Sequence, residues 1–185
     1  MKQEIRLHII EKRASHPKAE IEKKSAEAVM HLASLRVWQR AKVVMLYAAT
    51  PTEVQTKLLI ARALSEGKKV CLPVMGEEGN AYVLARVEDL VRNNKNFLEP
   101  PKESSIKADL KKIDLVVVPG VAFDTQGNRL GRGLGYYDNF LKKVTAPCVG
   151  LAFEFQIVDR VPTQEHDVPV KMIVTESRMI DCRME

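Results

Sequence analysis

The chain has 185 residues, 45% of them hydrophobic and 29% charged, a balance that suits one globular domain with its own core and excludes a disordered or low-complexity polymer. Its formal net charge of +5 favours anionic ligands, but the excess is spread along the chain without interleaved aromatics, so nucleic acid is not the expected partner. No uncharged run approaches the ~18 residues of a membrane span, and the start, MKQEIRLHII, lacks a signal-peptide pattern; a cytoplasmic protein with no membrane partner is expected.

Residues 2 to about 14 place Ile5, Ile9 and Ile10 on one side of a short helix, with Lys2, Arg6, Lys12 and Arg13 elsewhere. Such charges usually form a solvated face, yet Lys2 and Arg6 stand four apart and so project together toward a common anion. Pro17 suits the first turn of a second helix, whose stripe is Ile21, Ala28, Val29, Leu32 and Leu35, with Trp38 packing near its end. Lys42 to Ala48 (KVVMLYA) is the first buried strand. A loop from Ala49 follows, with Thr52 as N-cap of a helix through Leu64 that Gly67 stops. Glu53 then falls in the first turn, either as a partner of the helix dipole or in the crevice beyond a strand end where α/β sheets bind ligands.

Lys69 to Val74 is the second strand, GEEGN a turn, and Ala81 to Val87 the third strand, completing a right-handed βαβ rhythm with a further strand. Residues 88 to 112, with Asn93, Asn94, Asn96 and Pro100-Pro101, read as irregular and without chemistry. Ala146 to Ala152 and Met172 to Thr175 are later strands, separated by the polar loop Arg160 to Val170 with Glu165, His166 and Asp167. Cys71, Cys148 and Cys182 are odd in number and far apart, which predicts buried reduced thiols, and no CxxC or paired His/Cys spacing suggests zinc.

Leu115 to Leu141, LVVVPGVAFDTQGNRLGRGLGYYDNFL, carries the strongest signal. Val116, Val117 and Val118 form a strand buried on both faces, and a glycine-rich loop follows. Gly131, Gly133 and Gly135 permit positive φ and close approach of a ligand, Arg129 and Arg132 add fixed charge, and Tyr136, Tyr137, Phe140 and Leu141 fall at helical spacing. Free amides, a helix N-terminus and two guanidinium groups favour phosphate, while Asp138 just beyond is placed for Mg²⁺. The loop completes neither GxxxxGK[ST] nor GxGxxG, and a ligand-free mobile turn is the plainer alternative. One α/β domain over residues 1–185, doubly wound with about six mostly parallel strands flanked by helices, accounts for the pattern.

KQEIR, LYAATPTEVQT with GKKVCLPV, PGVAFDTQGNRLGRGLGYYD and the HDVP…IVTE ending together resemble the 5-formyltetrahydrofolate cyclo-ligase family, also called methenyltetrahydrofolate synthetases, over nearly the whole chain. The resemblance implies a NagB/RpiA/CoA transferase-like sheet and ATP- and Mg²⁺-dependent cyclisation of 5-formyltetrahydrofolate, with or without a polyglutamate tail, by a monomer or weak homodimer. It implies ATP contacts from Lys2, Gln3, Glu4, Ile5 and Arg6, and from Arg129, Leu130, Gly131, Arg132, Gly133, Leu134, Gly135, Tyr136 and Tyr137. Ala48 and Glu53 would line the folate pocket with Arg132, Gly133, Leu134, Gly135 and Tyr136; Arg132, Tyr136 and Tyr137 would be catalytic; Asp138 and Asp167 would hold Mg²⁺. Leu134 stands where family members carry Gly or Lys, and Lys171 where an acidic residue is frequent. The competing classes are a noncatalytic nucleotide- or folate-binding domain of the same fold and a basic RNA-associated protein.

Overall fold

The computed structural model describes residues 1–74, 76–77, 79–133 and 135–182. Two helices, α1 (Lys2–Ser15) and α2 (Lys18–Ser34), and the short α3 (Arg36–Arg40) precede β1 (Val43–Met45), α4 (Lys57–Ser65), β2 (Lys69–Pro73) and β3 (Ala81–Leu84). A small hairpin, β4 (Val91–Arg92) and β5 (Leu98–Glu99), is followed by β6 (Leu115–Val118), a second hairpin, β7 (Ala122–Phe123) and β8 (Arg129–Leu130), and α5 (Tyr136–Leu141). The chain then adds β9 (Cys148–Leu151), β10 (Met172–Val174) and β11 (Met179–Asp181).

Seven strands form one sheet in the order β11-β10-β9-β6-β1-β2-β3. The run β10-β9-β6-β1-β2 is parallel, and β3 and β11 close its two edges antiparallel. All six strands legible in the sequence are present; β11 and both hairpins were not anticipated. These extra strands are two or three residues long, too short for alternation to register.

Alternate residues of each strand face opposite layers, as a period of two requires. Val44, Leu46, Leu115 and Val117 pack with Leu32, Leu59 and Ile60 of α2 and α4, whereas Met45, Val116 and Val118 pack with Phe140 and Leu141 of α5 on the other face. Helices on both faces explain why the central strands read as unbroken apolar runs. The parallel strands reverse direction of addition between β1 and β6, and the chain leaving these two strands diverges there, which opens a crevice at their carboxyl ends. Cys71, Cys148 and Cys182 are buried and unpaired, and burial pushes each thiol up to about 11.

Two expectations change. The helix after β1 begins at Lys57, not at Thr52, because the Thr52 carbonyl and hydroxyl both accept hydrogen bonds from Arg13 (2.9 and 3.0 Å) and Thr52 is unavailable as a cap. Glu53 therefore lies in a turn, its N–H donating to the Thr50 carbonyl at 3.1 Å, ahead of the helix and not in its first turn. In α1 the inward face runs through Lys2, Arg6, Ile9 and Arg13, spaced four, three and four. Ile9 packs on Val121, Ala122, Leu130 and Val161, and Arg13 is 3% exposed, while Ile10, expected on the apolar side, is 46% exposed. The face that docks is the one carrying cations.

Candidate active site

A cavity of about 560 Å³ lies at the carboxyl ends of β1 and β6. Tyr47, Ala48, Thr50 and Glu53 reach it from the chain after β1, and Pro119, Gly120 and Val121 from the chain after β6. The glycine loop and the start of α5 form another wall, α1 contributes Lys2 and Arg6, and the loop before β10 contributes Gln164, His166 and Asp167.

Glu53 is the central carboxylate. Its Oε1 accepts from Arg132 Nη2 at 2.8 Å, and its Oε2 accepts from the Thr50 backbone N–H at 2.9 Å. Arg132 also donates to Thr50 Oγ1 at 3.0 Å and lies 5.8 Å over the Phe97 ring. A second guanidinium, Arg13, stands 3.8 Å from the same Oε1. Burial lowers the affinity of Arg13 for its proton and Glu53 partly restores it, which leaves a charged residue with ample margin at neutral pH.

The glycine loop departs from the sequence expectation in its lead-in. Asp124 Oδ1 accepts the N–H groups of Gln126 and Asn128, and its Oδ2 takes the Asn128 amide and the Val161 N–H, folding 122–130 into the hairpin β7–β8. Gly133 and Gly135 adopt φ of 92° and 66°, the left-handed conformations for which glycine suits. Gly131 serves differently: a Cβ there would come within 2.8 Å of Arg129 Nη1. Leu134 lies outside the described residues.

Arg129 is buried and spends Nη2 on Asp138 at 2.9 Å. Lys2 Nζ pairs with Asp167 Oδ2 at 3.0 Å, and Arg6 Nε donates to the Gly131 carbonyl at 2.9 Å, so α1 is tied to two walls of the cavity. Burial raises the Asp167 carboxyl, but the Gln164 N–H and Lys2 outweigh it and hold the group below the usual carboxylate range. Tyr136 donates its hydroxyl to the Asn80 carbonyl at 2.5 Å. Burial, then Tyr136 and Glu53, push the Tyr137 phenol well above its ordinary value, so it stays a neutral donor.

Of the residues singled out in the sequence, Lys2, Arg6, Ala48, Glu53, Arg129, Leu130, Gly131, Arg132, Gly133, Gly135, Tyr136, Tyr137, Asp138 and Asp167 converge on this one cavity. Gln3, Glu4 and Ile5 do not line it: Gln3 accepts from Arg6 at 3.4 Å, Glu4 pairs with the chain's amino terminus, and Ile5 packs beside Ile9. Lys171 stays outside as well and acts on Cys148 instead. The segment read as free of chemistry supplies Lys95, Phe97, Leu98 and Glu99 from the β4–β5 hairpin. A lone aromatic among asparagines was the available signal for Phe97. Tyr47 was missed because it sits in a strand assigned to packing, and Arg13 because the charges of α1 read as a solvated face.

Among the described residues no group of three or more His, Cys, Asp or Glu converges to hold a metal. Asp138 and Asp167 line the same cavity as two carboxylates, each with one oxygen already paired to a cation, Arg129 and Lys2. That set fits Mg²⁺ carried in with phosphate oxygens, the usual way this hard cation is bound, better than a resident ion held by protein alone.

The 5-formyltetrahydrofolate cyclo-ligase family model matches residues 1–176. A 5-formyltetrahydrofolate cyclo-ligase from Haemophilus influenzae is 33% identical over 177 residues, covering 91% of this chain and 94% of that one. The enzyme of the same name from Escherichia coli K12 is 34% identical over 147 residues, covering 75% of this chain and 80% of that one. The NMR structure of Aquifex aeolicus 5,10-methenyltetrahydrofolate synthetase superposes with a TM-score of 0.88 at 33% identity, covering 100% of this chain and 94% of that one.

Proposed function

The chain belongs to the 5-formyltetrahydrofolate cyclo-ligase family, and from that premise we propose that it converts 5-formyltetrahydrofolate and MgATP into 5,10-methenyltetrahydrofolate, ADP and phosphate. The observation that carries the reading is the convergence of the glycine loop, the two α1 cations and Glu53 on one cavity. A polyanion and a flat polar heterocycle each find complementary groups there.

The formyl group on N5 is amide-like, and its oxygen leaves poorly. Attack of that oxygen on the γ-phosphorus breaks the bond to ADP and makes the oxygen part of a phosphate ester. N10 of the same molecule then attacks the formyl carbon, loses its proton, and the C–O bond breaks to release phosphate. Because nucleophile and electrophile belong to one molecule, the protein's main task is to hold a near-attack geometry.

Glu53 accepts hydrogen bonds from the folate's ring and amino N–H groups. Arg132, 43% exposed and paired with Glu53, turns from that carboxylate to the transferring phosphoryl oxygens. Lys2, Arg6 and the Gly131–Gly135 backbone hold the polyphosphate. The neutral Tyr137 phenol and Tyr136 orient the folate side. Mg²⁺, bound by Asp138 and Asp167 together with phosphate oxygens, would neutralise charge on the triphosphate.

The test is to mix the protein with 5-formyltetrahydrofolate and MgATP and follow the absorbance of the methenyl product. Product that requires both substrates is expected; folded protein that forms none refutes the catalytic reading.

A further inference from the structure

Arg13 is a buried cation that the mechanism above does not use. It is 3% exposed, and its three polar contacts all fall on the loop after β1: the Thr52 carbonyl at 2.9 Å, the Thr52 hydroxyl at 3.0 Å and the Glu53 carboxylate at 3.8 Å. Arg132 approaches the same Glu53 oxygen from the glycine loop but is 43% exposed. The two guanidiniums therefore differ in kind. Arg13 is walled in on the protein side, whereas Arg132 stands on the cavity side, partly open to solvent.

Chemistry makes this asymmetry matter. If Arg132 were the sole counter-charge of Glu53, its departure toward a phosphoryl group would leave a nearly buried carboxylate unpaired, which is costly. The Thr50 N–H and the phenols of Tyr47 and Tyr137 also act on Glu53, but all three are neutral and supply no positive charge. Among the described residues, Arg13 is the cation that remains beside it.

We propose that Arg13 is the fixed counter-ion of Glu53, a positioning residue that keeps this carboxylate paired and aimed into the cavity when Arg132 is released to the phosphate side. The proposal rests on the reading of Glu53 as the folate contact. Arg13 does not touch substrate; it acts through Glu53 and through the Thr52 backbone that carries it. Since α1 also bears Lys2 and Arg6, a merely structural role for Arg13 would disturb both substrates, whereas a positioning role disturbs folate alone.

Calorimetric titration of 5-formyltetrahydrofolate and of MgATP separately into wild type, Arg13→Gln and Arg13→Lys makes the distinction. Arg13→Gln is expected to weaken folate binding on the order of 10-fold, with MgATP affinity unchanged within about twofold. Added to Glu53→Gln, it should weaken folate little further, because the two changes remove one interaction. Should Arg13→Gln not fold, Arg13→Lys reads the same split: a lysine keeps the charge but cannot engage the Thr52 carbonyl, the Thr52 hydroxyl and Glu53 at once, and at least a threefold loss for folate is expected. Equal losses for folate and MgATP, additive effects with Glu53→Gln, or unchanged folate affinity in Arg13→Lys would each overturn the proposal. Wild type that binds 5-formyltetrahydrofolate yet forms no methenyl product defeats the catalytic reading and leaves this one standing. Wild type that does not bind it overturns both.

Discussion

Arg132 and Glu53 meet at 2.8 Å, yet each has a separate task in the proposed reaction. Replacing Arg132 with Ala is expected to lower turnover on the order of 10²-fold, as for other donors of transition-state charge, with a much smaller change in ATP affinity. Steady-state kinetics check this, and unchanged turnover removes Arg132 from the role. Glu53→Gln keeps the shape but turns half of an acceptor pair into a donor. It should raise the folate KM about 10-fold, equivalent to about 1.4 kcal/mol, and an unaltered KM sinks the assignment. Both residues were legible as candidates in the sequence, Arg132 from its glycine neighbours and Glu53 from its place just past a strand. Their pairing was not, since 79 positions separate them. Arg13 was invisible for the opposite reason: beside Lys12 in the last turn of an amphipathic helix, it has the signature of a solvated face.

Among the elements, α1 and the β7–β8 hairpin frame the cavity and can be tested apart from catalysis. Gly127 closes the hairpin with φ of 86°, and a Cβ there would sit 2.2 Å from the Val170 carbonyl oxygen. Gly127→Ala is expected to cost roughly 2–3 kcal/mol, because it combines an unfavourable backbone conformation with a clash against backbone. In a chain of this size that lowers Tm by on the order of 5–10 °C; an unchanged Tm would contradict the assigned turn. The docking of α1 should depend on pH through Asp167. Its folded carboxyl lies below the ordinary range, so its contribution is present above the unfolded value and lost as pH falls through the lowered one. The stability gap between wild type and Asp167→Asn should therefore be open at neutral pH and close in acid below about pH 4. A gap that persists there would assign the effect to packing. Periodicity announced α1, but the apolar residues misled about its docking face, because Arg13 and Lys2 are satisfied by partners far along the chain.

The whole molecule is a sheet whose switch point opens a crevice and whose N-terminal helix returns to cover it. Ligand binding should then be read globally. MgATP at about 100 times its Kd should stabilise the fold by about 2.7 kcal/mol, and the thermal shift should shrink in Arg6→Ala, which loses a cation facing the glycine loop. An equal shift in that variant would place the nucleotide elsewhere. The α/β class and the six principal strands followed from the amino-acid sequence alone, and the same sequence singled out the loop through Gly133 and Gly135 as a candidate anion site. Those features rest on local physics: unbroken β-branched runs for strands buried on both faces, and residues without a Cβ where φ must be positive. The tertiary structure alone decided that Glu53 lies outside a helix, that the 91–99 hairpin brings Phe97 to Arg132, and that Arg13 is buried beside Glu53. Each depends on hydrogen bonds and charges brought together from distant positions, which no local pattern encodes.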